Sequence, residues 1–336
     1  MSYQSVNPYN GELVRSFEEQ TDQELEKAIA TAADCFDTWR KLSYAERGGI
    51  VAKAAAIMRE RAEEFARPVT LEMGKLFAES LGEVALSADI LDYYATHTER
   101  FLAPEQLNPE SGEAVVESSP LGVLFGVQPW NFPYYQLARF AGPNLMAGNV
   151  VMVKHSGTVP QCAIAYEQLW REAGAPEGAY TNLLISHDQV LTVIDDPRIR
   201  GVALTGGVAA ARGVAERAGK NVKKSTMELG GSDAFIVLED ADLDKTLTWA
   251  LWAKMNNMGQ CCIAGKRFII VEALADRFLE KFKAAMEALK PGDPMDPSTT
   301  LGSLSTEAAL VQLVKQVESK TQATVANSPA TASTSS

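Results

Sequence analysis

No run of eighteen apolar residues occurs in the 336-residue sequence, so it offers no membrane-spanning helix. The N-terminal MSYQSVNPYNGEL is polar and lacks the apolar core of a secretory signal. Cysteine is scarce: only Cys35, Cys162, Cys261 and Cys262 occur. Their spacing contains no CxxC and no metal-ligand pattern, and adjacent cysteines make a poor structural disulfide, so neither a metal site nor a disulfide framework is expected. That usage fits a reducing, cytoplasmic setting. Basic charge is also in deficit, with 31 Lys and Arg against 43 Asp and Glu and a net charge of -12. A phosphate-neutralising surface needs clustered cations, so no nucleic-acid partner is expected. Three histidines are present, His97, His155 and His187, none near the cysteine pair in sequence. No GxGxxG follows any candidate strand, which removes the usual dinucleotide fingerprint.

What is present is ordinary for a globular protein: 46% hydrophobic and 22% charged residues in a chain long enough for two domains. Residues 22–100 read as helix-rich, opening at TDQELEKAIATAADCFDTWRKL with a Thr cap and a Glu three positions on. NPESGEAVVES, within residues 103–119, suggests a short exposed hairpin. From residue 121 the period changes. LGVLFGVQP, GNVVMVK, YTNLLIS and IRGVALTGG read as strands, alternating with helices such as VPQCAIAYEQLWREAG and VAAARGVAERAG. This alternation predicts an α/β fold with a doubly wound parallel sheet of Rossmann type. STMELGGSDAFIVLE adds two strand segments, DADLDKTLTWALWAK a capped helix, and RFIIVE with LADRFLEKFKAAMEAL a strand and helix beyond the cysteines. The Thr/Ala/Ser-rich residues 321–336 cannot bury a core and are expected to be disordered.

Several short stretches could carry chemistry, each with a plain structural reading beside it. Thr205-Gly206-Gly207 ends a strand and opens a helix: a tight turn, or exposed amides that suit an anion. In GVQPWNFPYY two prolines flank Asn131, whose amide either completes a turn or serves as a rigid oxyanion donor. Lys154 ends the VVMVK strand, either solvated or facing the crevice at the strand ends. Glu228, in STMELGGSDAF, is expected to be buried at an apolar, glycine-flanked strand end, where desolvation suits a general base. Cys261 and Cys262 sit in a Gly-Gln turn, either as small buried apolar residues or as a place where oriented amides activate a thiol. With no histidine at hand, a carboxylate is the better candidate partner for a cysteine nucleophile.

PWNFP, MELGG and GQCC stand in this order, with Glu228 and Cys262 thirty-four residues apart. In these motifs the chain resembles the aldehyde dehydrogenase superfamily over residues 1 to about 320, and among its members looks most like bacterial succinate-semialdehyde dehydrogenases. The resemblance implies a cofactor domain of residues 1–102 and 120–229, an oligomerisation hairpin at 103–119 and a partial catalytic domain at 230–320. It implies Cys262 as the nucleophile that attacks an aldehyde, Asn131 as oxyanion donor and Glu228 as the base that activates water against the thioester. Contacts to NAD or NADP carry over to Trp130, Asn131, Lys154, His155, Ser156, Gly157, Gly206, Gly207 and Leu229.

Departures from the family pattern qualify this reading. Gly157 stands where many NAD-specific members have a glutamate, so NADP is admissible. Gly207 replaces a serine of the phosphate-binding turn. Arg139, eight residues after Asn131, matches an arginine that holds the distal carboxylate of succinate semialdehyde, a task suited to its bidentate fork. The second arginine of that pocket is Asn256 here. Family members run further, into an E-x-F-G-P motif and a C-terminal strand that pairs with a neighbour in a homo-oligomer; neither occurs in this sequence. The expectation is an aldehyde dehydrogenase acting on succinate semialdehyde or, as the alternative, a truncated remnant that binds nucleotide without turnover.

Overall fold

The computed structural model describes residues 3–326. The chain opens with an antiparallel pair, β1 (Tyr3–Val6) and β2 (Leu13–Phe17). Four helices follow: α1 (Asp22–Trp39), α2 (Tyr44–Glu60), α3 (Ala62–Met73) and α4 (Phe77–Phe101). The starts of the first two carry capping residues. Thr21 and Glu24 form a reciprocal capping box on α1, and Ser43 and Glu46 do the same on α2, so two otherwise orphaned N–H groups are satisfied at each end. The expected hairpin is present as β3 (Glu105–Leu107) against β4 (Ala114–Val116), antiparallel and exposed.

The central sheet is built next, from β5 (Val123–Val127), α5 (Pro133–Met146), β6 (Val150–Lys154), α6 (Pro160–Ala173) and β7 (Tyr180–Asn182). It continues with α7 (His187–Asp195), β8 (Ile199–Gly206), α8 (Val208–Lys220) and β9 (Lys224–Leu229). All four pairings are parallel, in the order β7-β6-β5-β8-β9. This is the doubly wound arrangement that the alternating pattern predicts. β6 is buried at all five positions, as an unbroken apolar run covered on both faces must be. The order reverses between β5 and β8, which opens a crevice at their carboxyl ends. Helices α2, α3 and α4 pack against α5 and α6, and one continuous apolar core joins them to the sheet.

Beyond the sheet lies a smaller unit: β10 (Asp233–Val237), α9 (Leu243–Met255), a 3-10 turn (Asn256–Gly259), β11 (Gly265–Ile270) and α10 (Glu272–Glu287). β10 and β11 pair in parallel over a small cluster of Val237, Leu243, Leu247, Ala250 and Phe278. A strap through residues 290–305 returns to the main body, where Phe77 N donates to Pro294 O at 2.9 Å. The strap leads into α11 (Glu307–Ala326). The helix continues six residues past the point where loss of structure is expected from the sequence, because Gln-Ala-Thr-Val-Ala still includes strong helix formers. The remainder of that expectation falls on residues 327–336, outside the described residues.

Candidate active site

Three of the strand ends that the motifs point to converge on one crevice. Pro129 to Asn131 follow β5, Gly206 and Gly207 close β8, Glu228 and Leu229 close β9, and the cysteine loop crosses in from the small unit. These residues, with Gln260, Cys261 and Cys262, wall a cavity of about 450 Å³, and α11 contributes Ala309, Gln312, Leu313 and Gln316 from above.

The cysteine loop is held by an unusual backbone. Asn257, Met258 and Gly259 have φ of 52°, 54° and 76°, three consecutive residues in the left-handed region. Each non-glycine residue there costs about 1 kcal/mol or more, so the surroundings must fix it. Buried amide contacts do so. The Asn257 Nδ2 donates to Asn131 O at 2.9 Å and to Gln260 O at 3.3 Å. The Gln260 backbone N–H and side-chain Nε2 both donate to Asn257 O, at 2.9 and 3.2 Å. Asn131 in turn donates its Nδ2 to Gln260 O at 3.0 Å, which aims its amide along the cysteine loop. One N–H of that amide is therefore used in positioning, which leaves the other available as a donor.

Both cysteines line the cavity and both are half-buried. Burial pushes the Cys261 thiol up, which disfavours it as the thiolate. Lys266 places its ammonium on the same loop, donating to Cys261 O at 3.1 Å and Cys262 O at 2.7 Å. Among the described residues it is the one cation in this wall, and no histidine lines it.

The structure corrects one expectation, the burial of Glu228, and sets the surroundings of the other candidate residues. Glu228 lines the cavity but is exposed rather than buried, because β9 is an edge strand whose faces are mostly open. His155 turns its ring into the protein, 1% exposed, with Nε2 3.2 Å from Pro133 O and Nδ1 accepting from Ser156 N at 2.9 Å. Its imidazole is thus a buried strut beneath α5, and burial lowers its pKa to about 4. Lys154 and Gly157 do not reach the Cys262 cavity. They line a separate one of about 720 Å³ with Tyr3, Glu72 and Thr158, divided from the first where residues 304–309 pass between them. The Lys154 ammonium is buried, donates to His155 O at 3.1 Å and has its pKa lowered by desolvation. The Ser156 hydroxyl is spent on Thr158, at 3.1 Å.

Arg139 also lies apart. It is exposed, stacks over the Tyr135 ring at 5.3 Å, and lines a third cavity of about 400 Å³ beneath β5, β8 and β9. Gln136, Thr205 and Glu228 belong to both this cavity and that of Cys262, so the two share a wall. Gln136, Asn257, Gln260 and Lys266 were missed in the sequence because their roles come from contacts across the crevice. The doubled Asn before Met-Gly carried a signal for Asn257, since asparagine tolerates the left-handed region better than most residues.

The site also has the features a dinucleotide needs. Gly207 caps α8 without a side-chain hydrogen bond, and a Cβ built there meets nothing within 4 Å. The first amides of α8 therefore lie open at a positive helix end, fit for a phosphate. A Cβ at Gly157 meets only the Tyr3 ring, at 3.7 Å, so the backbone there leaves room for a ligand.

An open parallel sheet with a crevice at its switch point, and a cysteine loop facing an amide donor across it, defines a dinucleotide-type α/β protein with a cysteine pair in its crevice. Residues 1–328 match the model of the aldehyde dehydrogenase family, and the chain belongs to that family. It is 47% identical over 316 residues to "Succinate-semialdehyde dehydrogenase [NADP(+)]" of Deinococcus radiodurans, covering 94% of this chain and 66% of that protein. A "Probable succinate-semialdehyde dehydrogenase [NADP(+)]" of Synechocystis sp. is 42% identical over 318 residues, covering 95% of this chain and 70% of the relative. The crystal structure of succinic semialdehyde dehydrogenase from Streptococcus pyogenes in complex with NADP+ superposes with a TM-score of 0.92 at 43% identity, over 94% of this chain and 70% of that one. The chain thus spans about two thirds of the length of the curated relatives it matches.

Proposed function

We propose that the protein oxidises an aldehyde, succinate semialdehyde by the likeness of its relatives, to the carboxylic acid with NADP+ or NAD+. The observation that carries this reading is the meeting of Cys262, Asn131 and Glu228 on one cavity with the Gly206-Gly207 turn. The Cys262 thiolate adds to the aldehyde carbon, and the carbonyl electron pair moves to oxygen. The free N–H of Asn131 receives that oxygen, with the Cys262 backbone N–H as second donor. The nicotinamide, when bound, supplies the hydride acceptor. Gly206, Gly207, Trp130 and Leu229 would hold it at the Cys262 end, and Lys154 and Gly157 the far ribose.

The acyl group left on sulfur is released by water. Glu228 lies on the wall of the same cavity and, exposed, stands where water reaches it, so its carboxylate takes the proton as water attacks. The exposure of Glu228 therefore suits the hydrolytic step even though it departs from the buried base expected. Arg139 sits across the shared wall, where it would receive a distal carboxylate only from a substrate that reaches past Gln136.

The test is a steady-state assay of this chain with succinate semialdehyde and NADP+. Turnover is expected, lost by at least about a thousandfold in Cys262→Ala and kept within a few-fold in Cys261→Ala, as removal of a nucleophile and of a bystander should differ. Cofactor binding without turnover would favour the alternative, a nucleotide-binding chain without catalysis. Loss on Cys261→Ala alone would move the nucleophile by one residue.

A further inference from the structure

We propose that Glu79, in the first turn of α4, is a positioning residue that keeps the Asn131 amide and the Cys262 loop in register through Asn257. The inference deepens the reading of the site given above and rests on it. Asn257 is wholly buried, 0% exposed, and is the point where three pieces of chain meet. Its side chain holds the Asn131 loop and the Gln260 carbonyl, as described. Its backbone N–H donates to Glu79 Oε1 at 3.2 Å. Glu79 thus reaches from the large unit to the one strained segment that aims the nucleophile.

The second oxygen, Glu79 Oε2, is buried with no hydrogen-bond partner, and so is Asn257 Oδ1. The adjacent buried ammonium of Lys75 gives its hydrogen bond to Glu83 and acts on Glu79 through its charge alone. A half-buried carboxylate held against a backbone N–H of a separate unit costs desolvation that is offset where the location of that N–H matters. The same helix also fixes the other side of the site. One turn on, Glu83 Oε1 accepts the N–H groups of Tyr134 and Tyr135, at 2.9 and 3.2 Å, at the start of the helix that follows Asn131. Two carboxylates four residues apart on α4 therefore hold the amide donor and the nucleophile loop to one rigid element.

Addition of the thiol to an aldehyde reads this register without cofactor. The Sγ–C bond forms, the carbonyl pair moves to oxygen, and that oxygen takes the thiol proton. The equilibrium can be followed by NMR with succinate semialdehyde labelled at the aldehyde carbon, in Cys261→Ala so that Cys262 alone reports. Glu79→Ala is expected to weaken the adduct by about tenfold, within the usual range for contacting residues, while Glu79→Gln, which keeps an acceptor, restores it. The iodoacetamide alkylation rate of Cys262, which needs no oxyanion donor, should change by no more than about twofold. In an Asn131→Ala background, Glu79→Ala should add nothing further. An equal loss in that background, or matching losses of adduct and alkylation, overturns the positioning role while leaving the site assignment intact. A folded parent chain that forms no adduct overturns both.

Discussion

Gly157 is the residue whose identity bears most directly on which nucleotide is preferred. It lines the cavity of Lys154, and a side chain built there meets only the edge of the Tyr3 ring, so a longer residue is accommodated without backbone strain. Gly157→Glu would put a carboxylate where the far ribose is proposed to sit. Like charges at such range repel a 2′-phosphate, and the ribose hydroxyls gain an acceptor. The ratio of kcat/KM for NADP+ to that for NAD+ should fall by about tenfold or more, a change on the order of 1.4 kcal/mol. Titrating both nucleotides by fluorescence gives the same answer if turnover is too slow to measure, and an unchanged ratio removes position 157 from the ribose. At this scale the sequence was legible where a residue acts through its own chemistry. Cys262 and Asn131 fall where their motifs place them, on one cavity wall. Glu228, His155 and Arg139 were harder, because whether a side chain is buried, exposed or turned away depends on neighbours that no local motif records.

Elements were legible where a cap or a continuous apolar run marks them, as at Thr21 and β6, and illegible where tertiary contacts fix an end. The start of α5 has no side-chain cap of its own. Its first amides are instead received by Glu83, fifty residues earlier, whose other oxygen pairs with Lys75 in a site where both side chains are essentially inaccessible. Lys75 also sits 3.7 Å above the Phe132 ring, so the cluster ties α4 to the Asn131 loop. Removing Glu83 leaves a buried ammonium and two open N–H groups. Glu83→Ala should therefore destabilise the chain by about 3–5 kcal/mol, well beyond the loss from truncating an exposed pair such as Lys281–Asp244. Urea unfolding of the two variants measures the difference, and equal midpoints would mean that the Lys75–Glu83 cluster adds nothing to the anchoring of α5.

The molecule as a whole joins a large sheet domain, whose doubly wound order follows from its alternating pattern, to a small two-stranded unit whose place over the crevice no periodicity could foretell. Two buried titratable groups in the large domain give its stability a pH dependence of opposing signs. Glu72 closes the N-terminus of α6, accepting from Gln161 N at 2.8 Å and Cys162 N at 3.1 Å, and burial raises its pKa from 4.5 to about 7. A carboxyl raised in the folded state stabilises below its unfolded value and loses that contribution as pH rises from 4.5 through 7. His155, lowered from 6.5 to about 4, contributes above 6.5 and loses its share as pH falls towards 4. In the parent chain the two offset one another between these limits. Glu72→Gln removes one and leaves the other. Its stability should drop on acidification from pH 7 to 4.5 more steeply than that of the parent. The gap should widen by up to roughly 3 kcal/mol, because each tenfold difference in proton affinity between the folded and unfolded chain is worth about 1.4 kcal/mol. Urea midpoints across that range measure the gap, and parallel profiles would show that Glu72 titrates as it does in the unfolded chain. The sign of the gap also separates this account from simple loss of a helix cap, because a missing cap lowers stability equally at every pH.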